Sequence, residues 1–255
     1  MKKVIILSAF LLPAILFAQK DSVLSTVYSW KEPGHQIKKG LFSTVLFEGQ
    51  VQDMEWLQMN ATALNTPNEI KQQVPDNEEH LLIIKSGTLI IKAKDSSWTL
   101  GTGSIALLMP GEKYWLKNID GVSNYYEMKY RSRKQVDNDR AKTAGGSIIM
   151  DWNKIPFAPN NNGGGRRNFF ERPTAMSKRF EMHVTTLKEG ARSHDPHTHA
   201  AEEIVLIVNN KTDMQIGDNF YKGAEGSIYY LGSNVLHAIK NDGVGTCTYF
   251  AFQFE

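Results

Sequence analysis

The stretch Gly190-Ala191-Arg192-Ser193-His194-Asp195-Pro196-His197-Thr198-His199-Ala200-Ala201-Glu202-Glu203 is the most informative in the 255-residue sequence. His197 and His199 are two residues apart, so on a strand both rings point to the same face. Glu203 follows four residues later, where the chain turns into its next strand. About forty residues downstream, a second stretch runs from Gly226 through Gly232 and His237 to Asn241. His197, His199, Glu203 and His237 together offer three imidazoles and one carboxylate. That set suits a divalent first-row metal and leaves one or two positions for water or substrate. Four of the seven histidines (His194, His197, His199 and His237) fall in these two stretches, which scatter over the surface does not explain.

Around these stretches the sequence reads as β-structure. Short segments rich in β-branched and aromatic residues recur, bounded by Gly, Asn, Asp and Pro. Strands are expected at Ser43–Glu48, Trp56–Leu64, His80–Lys85, Thr88–Lys92, Ile105–Met109 and Tyr125–Tyr130. A second series is expected at Phe180–Leu187, Glu203–Val208, Asp213–Ile216, Ser227–Leu231 and Thr248–Phe254. Many short strands at close spacing imply an all-β sandwich or barrel. The series are separated by polar residues 132–142 and by Pro156–Gly165, whose Asn and Gly run is expected to hold no regular structure; between them Gly146–Trp152 is a candidate strand. Glu78–Ile84 resembles Glu202–Val208, and Gly103-Ser104-Ile105 leads to Lys117-Asn118 as Gly226-Ser227-Ile228 leads to Lys240-Asn241. Paired landmarks at both ends of a unit indicate a duplication. In that alignment Gln73, Pro75 and Tyr114 stand for His197, His199 and His237, and Glu79 alone persists for Glu203. The first copy is therefore expected to be metal-free.

The two histidine stretches resemble the motifs of the cupin superfamily. The first motif is a Gly, five residues, His-x-His, three or four residues and Glu. Gly190 precedes His197 by one residue more, and His197-Thr198-His199 with Glu203 agrees. The second motif, Gly-(five)-Pro-x-Gly-(two)-His-(three)-Asn, is matched in register by Gly226, His237 and Asn241, with Gly232 and Asn234 in place of its Pro and Gly. The resemblance implies two cupin jelly-roll (double-stranded β-helix) barrels, a bicupin. In layout the chain resembles the ureidoglycine aminohydrolase family, in which the second barrel binds manganese through Glu, His, His and Gln. Only His199 keeps its residue type here. What this implies is an architecture: a silent first barrel, a metallated second one and a homo-oligomer.

The ends and composition narrow the setting. Lys2 and Lys3 precede an apolar run over 4–17 that ends at Ala18, which reads as a secretory signal peptide over 1–18. The expected layout is then a degenerate barrel over 19–135, a linker over 136–167 and a metal-binding barrel over 168–255. Location would be periplasmic or secreted, with no membrane attachment after cleavage. The 29 Lys and Arg less Lys2 and Lys3 leave 27 against 27 Asp and Glu. Such a balance argues against nucleic-acid binding. The single cysteine, Cys247, excludes an intrachain disulfide and a cysteine-rich metal site.

The expected cofactor is one divalent transition metal, Mn or Fe first, with Zn, Ni or Cu as alternatives. His183 is a candidate acid–base residue, and Tyr229 and Tyr249 are candidates to line a substrate pocket. His194 and Asp195 are candidates to support the ligand strand. The expected function is a metal-dependent enzyme acting on a small organic substrate by dioxygenase, isomerase or hydrolase chemistry. The alternative is a periplasmic cupin that binds or senses a sugar-like small molecule without turnover.

Overall fold

A computed structural model describes residues 22–255 except 66, 68 and 162. The signal-peptide reading, residues 1–18, lies outside the described residues. The chain is all-β. Its first eleven strands are β1 (Thr26–Tyr28), β2 (His35–Lys38), β3 (Leu41–Gly49), β4 (Met54–Leu64), β5 (Ile70–Gln73), β6 (Glu79–Ser86), β7 (Leu89–Ala93), β8 (Ser96–Leu100), β9 (Ile105–Leu108), β10 (Lys113–Asn118) and β11 (Ser123–Ser132). A short helix α1 (Asn138–Thr143) and two short strands, β12 (Ile148–Met150) and β13 (Ala158–Pro159), follow. The rest comprises β14 (Gly165–Arg172), β15 (Phe180–Leu187), β16 (Glu202–Asn209), β17 (Thr212–Ile216), β18 (Asn219–Gly223), β19 (Ile228–Leu231), β20 (His237–Asn241) and β21 (Cys247–Phe254).

The strands form two similar sheet pairs. In one, a seven-stranded sheet ordered β12-β9-β6-β11-β4-β3-β2 accompanies a four-stranded sheet β5-β10-β7-β8. In the other, a seven-stranded sheet β1-β19-β16-β21-β15-β14-β13 accompanies a three-stranded sheet β18-β17-β20. Alternation along the strands sorts the apolar side chains onto two faces. Leu82, Ile84, Tyr125 and Tyr114 fill the space inside the first pair, and Val205, Ile207, Tyr249 and Tyr229 pack inside the second. The intervening residues of both large sheets, among them Leu81, Tyr126, Ile204 and Phe250, meet in a shared core between the halves. Phe180 centres part of it, with ring centres of Tyr130, Phe170, Phe252 and Phe254 at 5.4–6.3 Å.

Three expectations are corrected by the strand pairing. Thr26–Tyr28, placed by the sequence reading in the first unit, pairs antiparallel with β19 of the second. Within residues 136–167, Ile148–Met150 pairs with β9 inside the candidate strand Gly146–Trp152, but Ala158–Pro159, in the run expected to hold no regular structure, pairs with β14 despite its proline. Proline is tolerated there because β13 is the edge of its sheet, where a missing N–H costs no ladder bond. The repeat alignment also shifts by one residue at Glu79. Tyr130 faces Glu79 on β6, whereas Phe254 faces Glu202 on β16, so Glu79 is the counterpart of Glu202 and His80 that of Glu203. A one-residue slip exchanges the two faces of a strand, and the faces settle the alignment: Leu82 and Val205 both point inward.

The corrected alignment exposes a reciprocal lock between halves. Glu79 Oε1 accepts from the backbone N–H groups of Ala175 (2.7 Å) and Met176 (3.1 Å) in the β14–β15 loop. Glu202 accepts from the N–H groups of Gln52 (2.9 Å) and Asp53 (3.1 Å) in the equivalent β3–β4 loop. Each carboxylate also accepts a tyrosine hydroxyl, from Tyr130 and Tyr230 respectively. Thus every half inserts one buried carboxylate into the loop of the other.

Candidate metal centre

His197 and His237 form an isolated antiparallel bridge, and their backbones exchange hydrogen bonds of 3.2 and 3.0 Å. His199 is tied to the same turn through its carbonyl, which accepts from Asn234 N–H at 2.8 Å. Asn234 takes φ of 58°, a left-handed conformation that asparagine tolerates better than most residues. Replacement of the motif's glycine therefore preserves the turn that delivers His237. Nitrogens of His197, His199 and His237 all lie within 4.8 Å of one another. Glu203, 7% exposed on β16, points into the same group: its Oε2 is 2.9 Å from His199 Nε2 and 3.3 Å from His237 Nε2.

Local hydrogen bonds fix how the rings face. His199 Nδ1 donates to the Ala201 carbonyl and His237 Nδ1 to the Val235 carbonyl, both at 2.8 Å. Each ring thereby presents Nε2 to the cluster, the arrangement in which backbone acceptors orient imidazole ligands. His197 Nδ1 is buried without a hydrogen-bond partner, and His237 Nε2 is buried with the Glu203 carboxylate 3.3 Å away. Buried imidazole nitrogens beside an ionised carboxylate fit a divalent cation well. Gln253, which sequence reading missed, completes the floor, its Nε2 3.3 Å from both His199 Nε2 and Glu203 Oε2. Its place opposite Glu203 on the neighbouring strand β21 is set by register, which no local motif announces.

A cavity of about 260 Å³ opens above the cluster. Val205, Met214, Ile239 and Ala251 form its apolar wall, and Arg166, His183, Thr185, Ser193, His194 and Tyr249 its polar one. His183 Nδ1 is 3.1 Å from Glu181 Oε1, and that oxygen also accepts from Arg166 at 2.7 Å. Tyr249 lines the cavity. Tyr229 does not: it is fully buried in the neighbouring core, its hydroxyl bonded to Thr212 and to the Tyr221 carbonyl at 3.0 and 3.1 Å. Tyr229 and Tyr249 face the same inter-sheet core, but only tertiary placement sets which ring reaches the cavity.

Among the described residues the other half has no counterpart. Gln72, not Gln73, stands opposite Tyr114, where His197 stands opposite His237. Tyr114 and Tyr125, each 1% exposed, fill the inter-sheet space. His80 occupies the Glu203 position and is held between Glu78 (3.1 Å) and Glu127 (3.6 Å).

Electrostatics follow the geometry. Burial raises the Glu203 carboxyl, but hydrogen bonds and charge from His199 and His237 outweigh it and hold it at about 2 against an ordinary 4.5. His199 is raised above 6.5, chiefly by its hydrogen bond to Glu203. His197 is lowered by burial and then by the neighbouring imidazoles, and His183 by burial and then by Arg166. A depressed carboxyl gives stability that is present above its unfolded value and lost as pH falls through its folded one. A raised imidazole gives stability that is complete below its unfolded value and lost as pH rises through its folded one. In metal-free protein the pair therefore contributes most between pH 4.5 and 6.5. The loss of urea midpoint in Glu203→Gln should be largest in that window and shrink above neutrality; a pH-independent loss would contradict the pairing.

No protein-family model matches the chain, and no curated protein matches it in sequence. Solved structures do match in fold. Protein Ylba from E. coli, of family DUF861, superposes with a TM-score of 0.67 at 15% identity, over 94% of this chain and 95% of that one. A cupin 2 conserved barrel domain protein from Leptotrichia buccalis gives 0.62 at 10% identity, over 93% and 100%. An oxalate decarboxylase from Lactobacillus farciminis, in complex with formate, gives 0.65 at 10% identity, over 92% and 87%. The chain shares its fold with these proteins, one of which is a cupin 2 conserved barrel domain protein.

Proposed function

We propose that this chain is an exported bicupin metalloprotein, built from two barrels of which only the second carries a metal. In this reading residues 1–18 are a cleaved signal peptide, 19–135 form a silent barrel, 136–167 connect the barrels and 168–255 bind one divalent ion. Its activity is that of a metal-dependent enzyme on a small organic substrate. One observation carries the reading: three imidazoles and a buried ionised carboxylate converge beneath a cavity in one half. In the other half tyrosines occupy that space.

His197, His199, His237 and Glu203 would hold the ion, Mn or Fe first, with Zn, Ni and Cu as alternatives. A bound ion supplies Lewis-acid polarisation of a substrate oxygen or, as iron, a binding position for dioxygen. The surrounding residues do the rest. Backbone carbonyls of Ala201 and Val235 hold two rings in the ligating tautomer. Val205, Met214, Ile239 and Ala251 exclude water from one side of the substrate. His183, steadied through Nδ1 by Glu181, keeps its other nitrogen free to hold or move a proton. Arg166 adds a fixed cation to the wall.

Elemental analysis of mature protein isolated from its own periplasm, without tag or chelating resin, tests the reading. About one ion per chain is expected, and its loss from the His197→Ala/His199→Ala double variant. Protein without metal in both samples would replace the enzyme with a small-molecule binder.

A further inference from the structure

His194 lies in the same cavity, on the loop that leads into the ligand pair. Its ring stands edge-on to His197, with centres 4.1 Å apart, and 6.1 Å from that of His237. Within the trio itself the ring centres are 4.7, 4.9 and 5.3 Å apart. Two imidazoles on one ion keep their centres within roughly 6.5 Å, because each nitrogen sits about 2.1 Å from the metal. Both of these His194 distances fall inside that limit; His194 stands outside the trio whose nitrogens lie within 4.8 Å of one another, so its exposed ring closes the remaining gap by turning in on its loop when the ion binds. The ring is also prepared in the same way as the other ligands. His194 Nδ1 donates to the Asp195 carbonyl at 2.9 Å, as His199 and His237 donate to theirs, and so leaves Nε2 as the free nitrogen. Three of the four rings thus share one tautomer, set by backbone acceptors within two residues.

We propose that His194 is a fourth imidazole ligand of the metal centre, capping its open side. The proposal rests on the metal-centre reading above and changes it in one respect, by reversing its order of metals. Four imidazoles and one carboxylate make a nitrogen-rich set, which favours Cu(II), Ni(II) or Zn(II) over Mn(II). Five protein donors also leave a six-coordinate ion a single open position, so a substrate that chelates through two atoms must displace His194. Because His194 is solvent-exposed on a loop, its release costs no core packing.

Metal-stripped protein loaded with one equivalent of Cu(II) tests this by electron paramagnetic resonance. Wild type should show four coupled nitrogens and His194→Ala three. In competition titrations the His194→Ala substitution should weaken Zn(II) binding by about tenfold or more, with a smaller change for Mn(II). An unchanged nitrogen count and Zn(II) affinity in His194→Ala, while His197→Ala loses both, would overturn the proposal and leave the metal centre standing. Failure of the wild type to take up Cu(II) or Zn(II) would overturn both.

Discussion

Glu79→Ala is expected to lower the stability of the protein by about 3–5 kcal/mol, because it removes the shared acceptor of three buried donors. Glu79 is 0% exposed. Its removal takes the acceptor from the Ala175 N–H and the Tyr130 hydroxyl and leaves the Met176 N–H only its longer bond to Thr174 Oγ1, 3.3 Å, in a dry interface. Each such orphan costs about 1–3 kcal/mol, because desolvation is no longer offset by a bond. Burial holds the Glu79 carboxyl above its ordinary value, so ionisation is itself unfavourable at this site. Glu79→Gln keeps an acceptor without the charge and should therefore retain most of the stability. Glu202→Ala should reproduce the loss, since Glu202 binds Gln52, Asp53 and Tyr230 in the mirrored arrangement. Urea unfolding of the variants checks this. Metal content per folded chain should stay at the wild-type level in Glu79→Ala; a stoichiometry that falls as it does in Glu203→Ala would place Glu79 at the metal after all.

Glu203→Gln is expected to weaken divalent-metal binding by about a hundredfold or more, beyond the 10–100-fold typical of residues that only support ligands. The substitution keeps the shape of the side chain and removes the one anionic donor, so the imidazoles must hold the cation unaided. Thermal unfolding with Zn(II) gives a direct reading. At a metal concentration a thousand times the wild-type dissociation constant, binding stabilises wild type by about 4 kcal/mol and a hundredfold weaker variant by only about 1.4 kcal/mol. Equal stabilisation of both proteins would show that Glu203 is not a ligand. In the absence of metal the two should differ modestly, and most between pH 4.5 and 6.5, where the His199–Glu203 pair is charged.

Several features were legible in the residues alone. All eleven strands expected from β-branched and aromatic runs are present, most extended by one or two residues at their ends. The strands that escaped notice carry weak local signals. β20, which presents His237, is only five residues, and β2 is exposed along its whole length. β1 cannot be assigned by pattern, because it joins its sheet by pairing with a strand distant in sequence. The repeat was visible, but its register was not: Glu78-Glu79 and Glu202-Glu203 align equally well to the eye with a one-residue slip. Only the inward or outward direction of Leu82 and Val205 resolves it.

By itself, the sequence determined the β class, the internal duplication and the residues that meet at the cluster. Those properties follow from side-chain alternation and from spacing, which are local and survive without coordinates. Tertiary structure alone decided which acidic residue serves which purpose. Glu202 and Glu203 are neighbours in sequence, yet a strand sends them to opposite faces, one into the lock between halves and the other to the histidines. It likewise brought Gln253 to the site and kept Tyr229 from it. The reason is physical: which groups share one small volume is set by strand register and sheet packing, and neither is written in any single segment.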